Sequence, residues 1–216
     1  MSEAGKSCEV LVTGAAGELG RRVVRVLRDS GMGVIATGRT LSQDVDCAWD
    51  LATASAPDTD IRPDVVVHAA ARTSRLDAPL VPGWDLFDVN VGGTARVVAW
   101  SLANDVKKLV FISSAVVFGG WQAHPLSESD ATNAIAGGAY AVSKLCAEQV
   151  SDLMTSAGRQ VAILRLTSLY GDGYGQGLPQ RFLRDGVNNG EIRLTPPIET
   201  AFDLLHVDDA TAAVER

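Results

Sequence analysis

The chain has 216 residues, of which 46% are hydrophobic and 21% charged. That is ordinary globular composition, enough for one well-buried domain, and it excludes a disordered chain. A net charge of −7 disfavours a nucleic-acid partner, which needs clustered Lys and Arg against phosphates, but leaves room for a small anion held by one local Arg.

In chain order, short apolar runs alternate with segments of helical period. Cys8–Val12 reads as a first strand. A Gly-rich turn leads into a helix over Glu18–Asp29, with Leu19, Val23, Val26 and Leu27 on one face. Gly33–Thr37 follows as a second strand. Asp64–His68, Leu109–Ser113 and Val161–Leu166 are near-continuous apolar runs, the mark of strands buried on both faces of a parallel sheet. Helices are predicted over Trp84–Asn104 and Tyr140–Ala157 between them. This order predicts an α/β, doubly wound parallel sheet of the Rossmann type.

Past Leu166 the pattern changes. Tyr170–Pro179 reads as a Gly-rich loop, Gln180–Asn188 as a helix, Glu191–Thr195 as a strand, and a last amphipathic helix opens at Asp208–Asp209. Residues 1–169 are therefore expected to form the nucleotide-binding domain. Residues 170–216 are expected to begin a smaller, truncated substrate-binding region interleaved with the last sheet elements. Cys8, Cys47 and Cys146 lack metal or disulfide spacing and read as reduced thiols. With no apolar stretch long enough for a bilayer and no signal peptide, a cytoplasmic location is expected, with no membrane and no metal.

The segment Thr13-Gly14-Ala15-Ala16-Gly17-Glu18-Leu19-Gly20 sits between the first strand and the first helix. Gly14 suits backbone angles closed to other residues, Gly17 lets a pyrophosphate approach the backbone, and Gly20 lets helix pack on strand. The helix N-terminus offers free N–H groups and a positive dipole end. Gly14, Ala16, Gly17, Glu18, Leu19 and Gly20 are thus the candidate phosphate cradle. At the end of the second strand, where NAD-binding units carry an acidic residue, stands Arg39. An Arg there can pair with a 2′-phosphate, which favours NADP over NAD; the alternative is a solvated loop residue.

Tyr140 and Lys144 share one helix face. An ammonium beside a phenol lowers its pKa from about 10 and makes it usable as an acid or base. Ser114 ends a buried strand, where open α/β sheets place ligands, and a Ser there can hold the substrate oxygen. A strand-end Ser capping a turn is the plain alternative.

These segments together resemble the extended short-chain dehydrogenase/reductases, the NAD-dependent epimerase/dehydratase family with its sugar-nucleotide epimerases. The matching pieces are TGAAGELG (13–20), WDL (49–51), VVVHAAA (65–71), NVGGT (90–94), VFISSAVVFG (110–119), YAVSK (140–144), LRLTSLYG (164–171) and DLLHVDDA (203–210). The resemblance implies that Asp50 and Leu51 contact the adenine and that Ala69, Ala70 and Ala71 line the dinucleotide. It implies that Asn90 braces a loop near the cofactor and that Leu166–Ser168 close over the nicotinamide. Ser114, Tyr140 and Lys144 would be the catalytic triad, with Lys144 also holding the nicotinamide ribose. A homodimer and a small-molecule substrate, most commonly a nucleotide-linked sugar, are implied as well.

Departures from the family pattern are Ser168 where Asn is frequent, Phe202 where an Arg is common, and Ala115-Val116 where dehydratases carry an acidic pair. The last argues against dehydration. Hydride transfer at an alcohol or ketone carbon is the expected chemistry, either in an epimerase that keeps its cofactor and returns the hydride to the other face or in a reductase that releases it, with a slight tilt toward reduction. The alternatives are a ketoreductase for a non-sugar carbonyl and a non-catalytic NADP-sensing protein on the same fold. His68 reads as a buried, satisfied side chain. His206, with Asp208 as a helix N-cap, reads as a strand–helix junction. Arg72 and Thr73 either line the substrate cleft or belong to a solvated loop.

Overall fold

A computed structural model of the protein describes residues 9–54, 56–57, 59–73, 84–119, 125–175, 177–192 and 201–216. Cys8 and the last three residues of the expected Glu191–Thr195 strand lie outside the described residues; Glu191 and Ile192 are not in a strand.

The chain opens with β1 (Glu9–Thr13), α1 (Glu18–Asp29), β2 (Gly33–Gly38), a two-residue β3 (Cys47–Ala48) and β4 (Val65–His68). A helical stretch follows in three parts: α2 (Trp84–Phe87), a π turn (Asp88–Gly92) and α3 (Gly93–Ala103). Then come β5 (Lys108–Ser114), a 3-10 turn (Ala115–Phe118), α4 (Gly138–Ser151), α5 (Leu153–Ser156) and β6 (Gln160–Leu166). The described chain closes with β7 (Ser168–Tyr170), α6 (Leu178–Asn189), β8 (Leu204–His206) and α7 (Val207–Glu215).

The apolar runs pair in parallel in the order β3-β2-β1-β4-β5-β6. Side chains alternate across the strands, so each run feeds two cores. Val10, Val12, Val67, Val110 and Ile112 pack with Val23, Val24 and Leu27 of α1 and Val214 of α7. Leu11, Val66 and Leu109 pack with Trp49, Leu51, Val97, Val98, Trp100 and Met154. That two-sided burial is why these strands read as continuous hydrophobic runs. On α1 the buried line runs through Gly20, Val23, Val24 and Leu27, so Val24 takes the place expected for Val26.

Three features depart from the expected outline. The helix expected over Trp84–Asn104 is interrupted by the π turn, which carries the buried Asn90. β7 and β8 form a separate parallel pair that three-residue runs in polar surroundings do not announce. The cap of α7 is His206, whose Nδ1 accepts the Asp208 N–H at 3.3 Å; Asp208 therefore lies in the first turn and is not the cap. His206 also packs edge-on to Tyr170, with ring centres 5.1 Å apart.

Under α4, Glu148 is 3% exposed and accepts hydrogen bonds from Arg165 Nε at 3.1 Å, from Arg165 Nη2 at 2.8 Å and from the Ser113 hydroxyl. The Arg165 guanidinium in turn lies 4.9 Å from the centre of the Phe118 ring. This charged cluster fastens α4 to β5 and β6, the two strands beneath the helix that carries Tyr140.

Candidate functional site

β1 and β4 are neighbours in the sheet, yet β1 leads outward to β2 and β4 leads the other way to β5. The crevice beyond their C-terminal ends is the topological switch point where open α/β sheets bind ligands. Gly14 follows β1 there with φ +72°. A methyl group on it would sit 2.7 Å from the backbone N and Cα of Ala70, just past β4. One on Gly20 would run into the Gly14 carbonyl. Both glycines are thus required by close backbone approach.

No side chain caps the N-terminus of α1, which leaves first-turn N–H groups to an anion. Ala16 and Gly17 are exposed at the mouth, and Glu18 and Leu19 are half-buried. The Glu18 carboxylate accepts the Gly175 N–H at 3.1 Å, which ties the loop after β7 to the start of α1. The open helix end, the glycine turn and the small Ala69 and Ala70 opposite it fit a dinucleotide pyrophosphate.

Arg39 is exposed at the end of β2 and makes no hydrogen bond or ion pair among the described residues. Asp50 closes a turn by accepting the Ala52 N–H at 3.0 Å. The Leu51 side chain is buried in the core against Gly93, so only its backbone and the half-buried Asp50 face toward a ligand position. Ala71, Arg72 and Thr73 are exposed, and Arg72 pairs with Asp85 at 3.0 Å. Leu166 ends β6 and Ser168 begins β7, both half-buried.

Asn90 is 2% exposed, and its amide is fully engaged. Its Oδ1 accepts the Arg72 N–H at 2.7 Å, and its Nδ2 donates to the Arg72 carbonyl and the Ser143 hydroxyl, both at 2.9 Å. Asn90 therefore ties the loop after β4 to α4. Ser143 passes the contact on by donating to the Tyr140 carbonyl at 2.8 Å.

Ser114 stands at the end of β5, where its hydroxyl accepts the Val116 N–H at a long 3.4 Å. A methyl group on Gly137 would run into the Val116 carbonyl, so the start of α4 packs on the turn that follows Ser114. Tyr140 is half-buried, and no hydrogen bond holds its hydroxyl among the described residues. Lys144 is 2% exposed; its Nζ donates to the Ile112 carbonyl at 2.6 Å and lies 4.2 Å from the centre of the Phe111 ring.

This arrangement corrects one expectation. The Tyr140 phenol is not lowered by Lys144: burial, with a smaller contribution from Tyr174, pushes it up to about 12. Lys144 itself is brought down to about 7 by burial. The two side chains share a helix face, but the ammonium is turned to the β5 carbonyl, and loss of water disfavours the charged form of each.

Tyr174 is a residue that sequence reasoning missed. Its surroundings include both Tyr140 and Glu18, so the loop after β7 bridges the helix that carries Tyr140 and the glycine turn before α1. The signal was an aromatic side chain inside an otherwise glycine-rich loop. No group of three or more metal-binding side chains occurs among the described residues, and none of their helices is long and apolar enough to cross a membrane.

A switch-point crevice with a glycine turn on one strand and a Tyr–Lys helix beside it defines a dinucleotide-binding protein of the doubly wound class. Residues 10–216 match the NAD dependent epimerase/dehydratase family, and the chain belongs to that family. It is 37% identical over 162 residues to a dTDP-4-keto-6-deoxy-D-glucose reductase of Streptomyces niveus, covering 74% of this chain and 52% of that one. It is 29% identical over 194 residues to a dTDP-4-dehydrorhamnose reductase of Mycobacterium tuberculosis, covering 88% and 59%. The solved structure of MoeE5 in complex with UDP-glucuronic acid and NAD superposes with a TM-score of 0.79 at 27% identity, over 95% of this chain and 70% of that one. The chain spans about half the length of the curated relatives it matches.

Proposed function

We propose that this chain carries the dinucleotide-binding and proton-transfer machinery of an NADP-using reductase that acts on a carbonyl carbon of a nucleotide-linked sugar. The observation that carries the reading is the convergence at one crevice of the Gly14 turn, the open end of α1 and the Tyr140–Lys144 helix. Residues 9–169 would hold the cofactor, and residues 170–216 would open the substrate-binding region. The nucleotide-sugar class rests on the two relatives, a dTDP-4-keto-6-deoxy-D-glucose reductase and a dTDP-4-dehydrorhamnose reductase.

The bound nicotinamide would supply the hydride. Tyr140, protonated at neutral pH with its phenol near 12, is suited to give its proton to the carbonyl oxygen as negative charge develops there. Ser114 would hold that oxygen by a hydrogen bond, since the one contact of its hydroxyl among the described residues is long, at 3.4 Å, and easily exchanged. Lys144 would reach the ribose hydroxyls from its place beneath Tyr140. Ala115 and Val116 follow Ser114 with no carboxyl group, which argues against elimination of water.

Arg39 supports NADP: it is exposed at the end of β2 with no hydrogen bond or ion pair among the described residues, and a 2′-phosphate there would meet it. A homodimer and a cytoplasmic location belong to the same reading.

The test is a fluorescence titration of the chain with NADPH and NADH, with Arg39→Ala and Tyr140→Phe alongside. Expected are a preference for NADPH of about tenfold or more, lost in Arg39→Ala, since one charge-assisted pair contributes about 1.5–3 kcal/mol. Tyr140→Phe should bind cofactor normally but lose turnover. A preference for NADH would overturn the Arg39 argument and favour an epimerase that retains its cofactor. Binding of neither would overturn the reading.

A further inference from the structure

The ring of His68 lies between two hydroxyl groups, deep in the sheet, and nothing in the proton-transfer scheme above uses it. His68 is 1% exposed and stands opposite Thr13 in the β1–β4 register. Its Nδ1 is 2.7 Å from the Thr13 hydroxyl and its Nε2 is 2.9 Å from the Thr94 hydroxyl. The Thr94 hydroxyl is 2.6 Å from the Asn90 carbonyl, to which it must donate. A hydroxyl has one proton, so Thr94 can only accept from the ring.

Nε2 therefore carries the proton and Nδ1 is bare, an acceptor for the Thr13 hydroxyl. Thr13 in turn accepts the Ala70 N–H at 3.3 Å. The polarity runs one way throughout: Ala70 N–H to Thr13, Thr13 to His68, His68 to Thr94, Thr94 to the Asn90 carbonyl. Every donor and acceptor on this path is satisfied only if the ring is neutral and in this one tautomer.

The ends of the path matter more than its middle. Thr13 is the residue before Gly14, and Ala70 is the residue whose backbone Gly14 touches. Asn90 sits in the π turn and holds Arg72 on one side and Ser143 of the Tyr140 helix on the other. The π turn also lacks the regular i to i−4 ladder, so its shape depends on such side-chain ties. We propose that His68, as the neutral Nε2–H tautomer, is a positioning residue that fixes the phosphate-loop root against the π turn, and so sets the spacing between the dinucleotide cradle and the Tyr140 helix.

Thr94 is its partner in this role and is itself fully buried. The charged group facing the ring is Lys144; burial first, and Lys144 second, hold His68 down to about 3. The inference rests on the dinucleotide reading for its consequence, though not for its tautomer.

Two measurements test it on the chain as it stands. In histidine-labelled protein, nitrogen NMR should show His68 protonated at Nε2 and unchanged between about pH 5 and pH 8, since a neutral ring held well below its usual 6.5 does not titrate there. The second compares Thr94→Val with Thr94→Ser. Thr94→Val should weaken NADPH binding about fivefold or more and shift the Tyr140 ring-carbon resonance, while Thr94→Ser, which keeps the hydroxyl, stays within about twofold of wild type with that resonance in place. An Nδ1–H tautomer, a ring titrating near 6.5, or equal behaviour of the two Thr94 variants would each overturn the proposal. Failure of the wild-type chain to bind NADPH would instead strike the dinucleotide reading, leaving the tautomer and the Tyr140 shift to decide the role of His68.

Discussion

Lys144 is the residue on which the proposed function and stability would pull in opposite directions. A lysine this deep gives up hydration for a single carbonyl and an aromatic face, and that contact does not replace the lost water. Its pKa of about 7, against an ordinary 10.5, means that the native state holds fewer protons than the unfolded chain between those values. Stability from this residue therefore rises as pH climbs from about 7 to 10.5, and the burial penalty is full below 7. Denaturant titrations at several pH values should show the wild type gaining on Lys144→Met between about pH 6.5 and pH 9.5. Parallel profiles would show that Lys144 stays charged where it lies. The penalty is the kind expected of a group kept for what it does to a ligand and not for what it does for the fold.

At the scale of elements, α4 is held by charge beneath and by Asn90 beside it. Glu148 accepts a forked pair of hydrogen bonds from Arg165 and another from Ser113. Arg165→Met would leave a buried carboxylate with the Ser113 hydroxyl as its one hydrogen-bond donor among the described residues and Lys144 as its nearby charge, and such loss costs about 3–5 kcal/mol. Urea unfolding should register that loss in Arg165→Met. The double variant Arg165→Met with Glu148→Leu should recover most of it, because the unpaired charge is gone. A double variant no more stable than the single one would show that the pair itself, not the stranded charge, supports α4.

Much of this architecture was legible in the residues. The strands and α1 were visible because two-sided burial produces long apolar runs, and helix packing forces one buried stripe. The Gly14 and Gly20 positions were legible for a steric reason, which the structure bears out. What escaped was whatever depends on a contact far away in sequence. The π turn is invisible in Asp88–Gly92 itself, because its cause is the reach of Asn90 to Arg72 and Ser143. The pKa of Tyr140 was misjudged because four-residue spacing reports a shared face, whereas burial and Tyr174 raise the phenol and the Lys144 ammonium is turned to the Ile112 carbonyl of β5. The β7–β8 pair likewise exists through partners more than thirty residues apart, with no local period to betray it.

Across the whole molecule, stability is distributed unevenly, and the distribution follows burial. β1, β4 and β5 are central in the sheet, with Leu11, Val66 and Leu109 at 0% exposed. α6 is the opposite: none of its residues is buried, and Leu183 and Val187 are 68% and 83% exposed. Local opening free energies scale with such packing, from near zero at poorly packed elements to the global value in the core. Native-state hydrogen exchange should therefore find the amides of β1, β4 and β5 slowest, opening only with global unfolding. Those of α6 should exchange fastest among the helices of eight residues or more. The site lies between these extremes, since the phosphate loop grows from β1 whereas the loop bearing Tyr174 grows from β7 and leads into α6. NADPH should accordingly slow exchange most in the Gly171–Gly175 loop and the first turn of α1, and least in β5, which has little left to gain. Protection added chiefly to the central strands would contradict that division, and would mean that the sheet and the loop above it open as one unit.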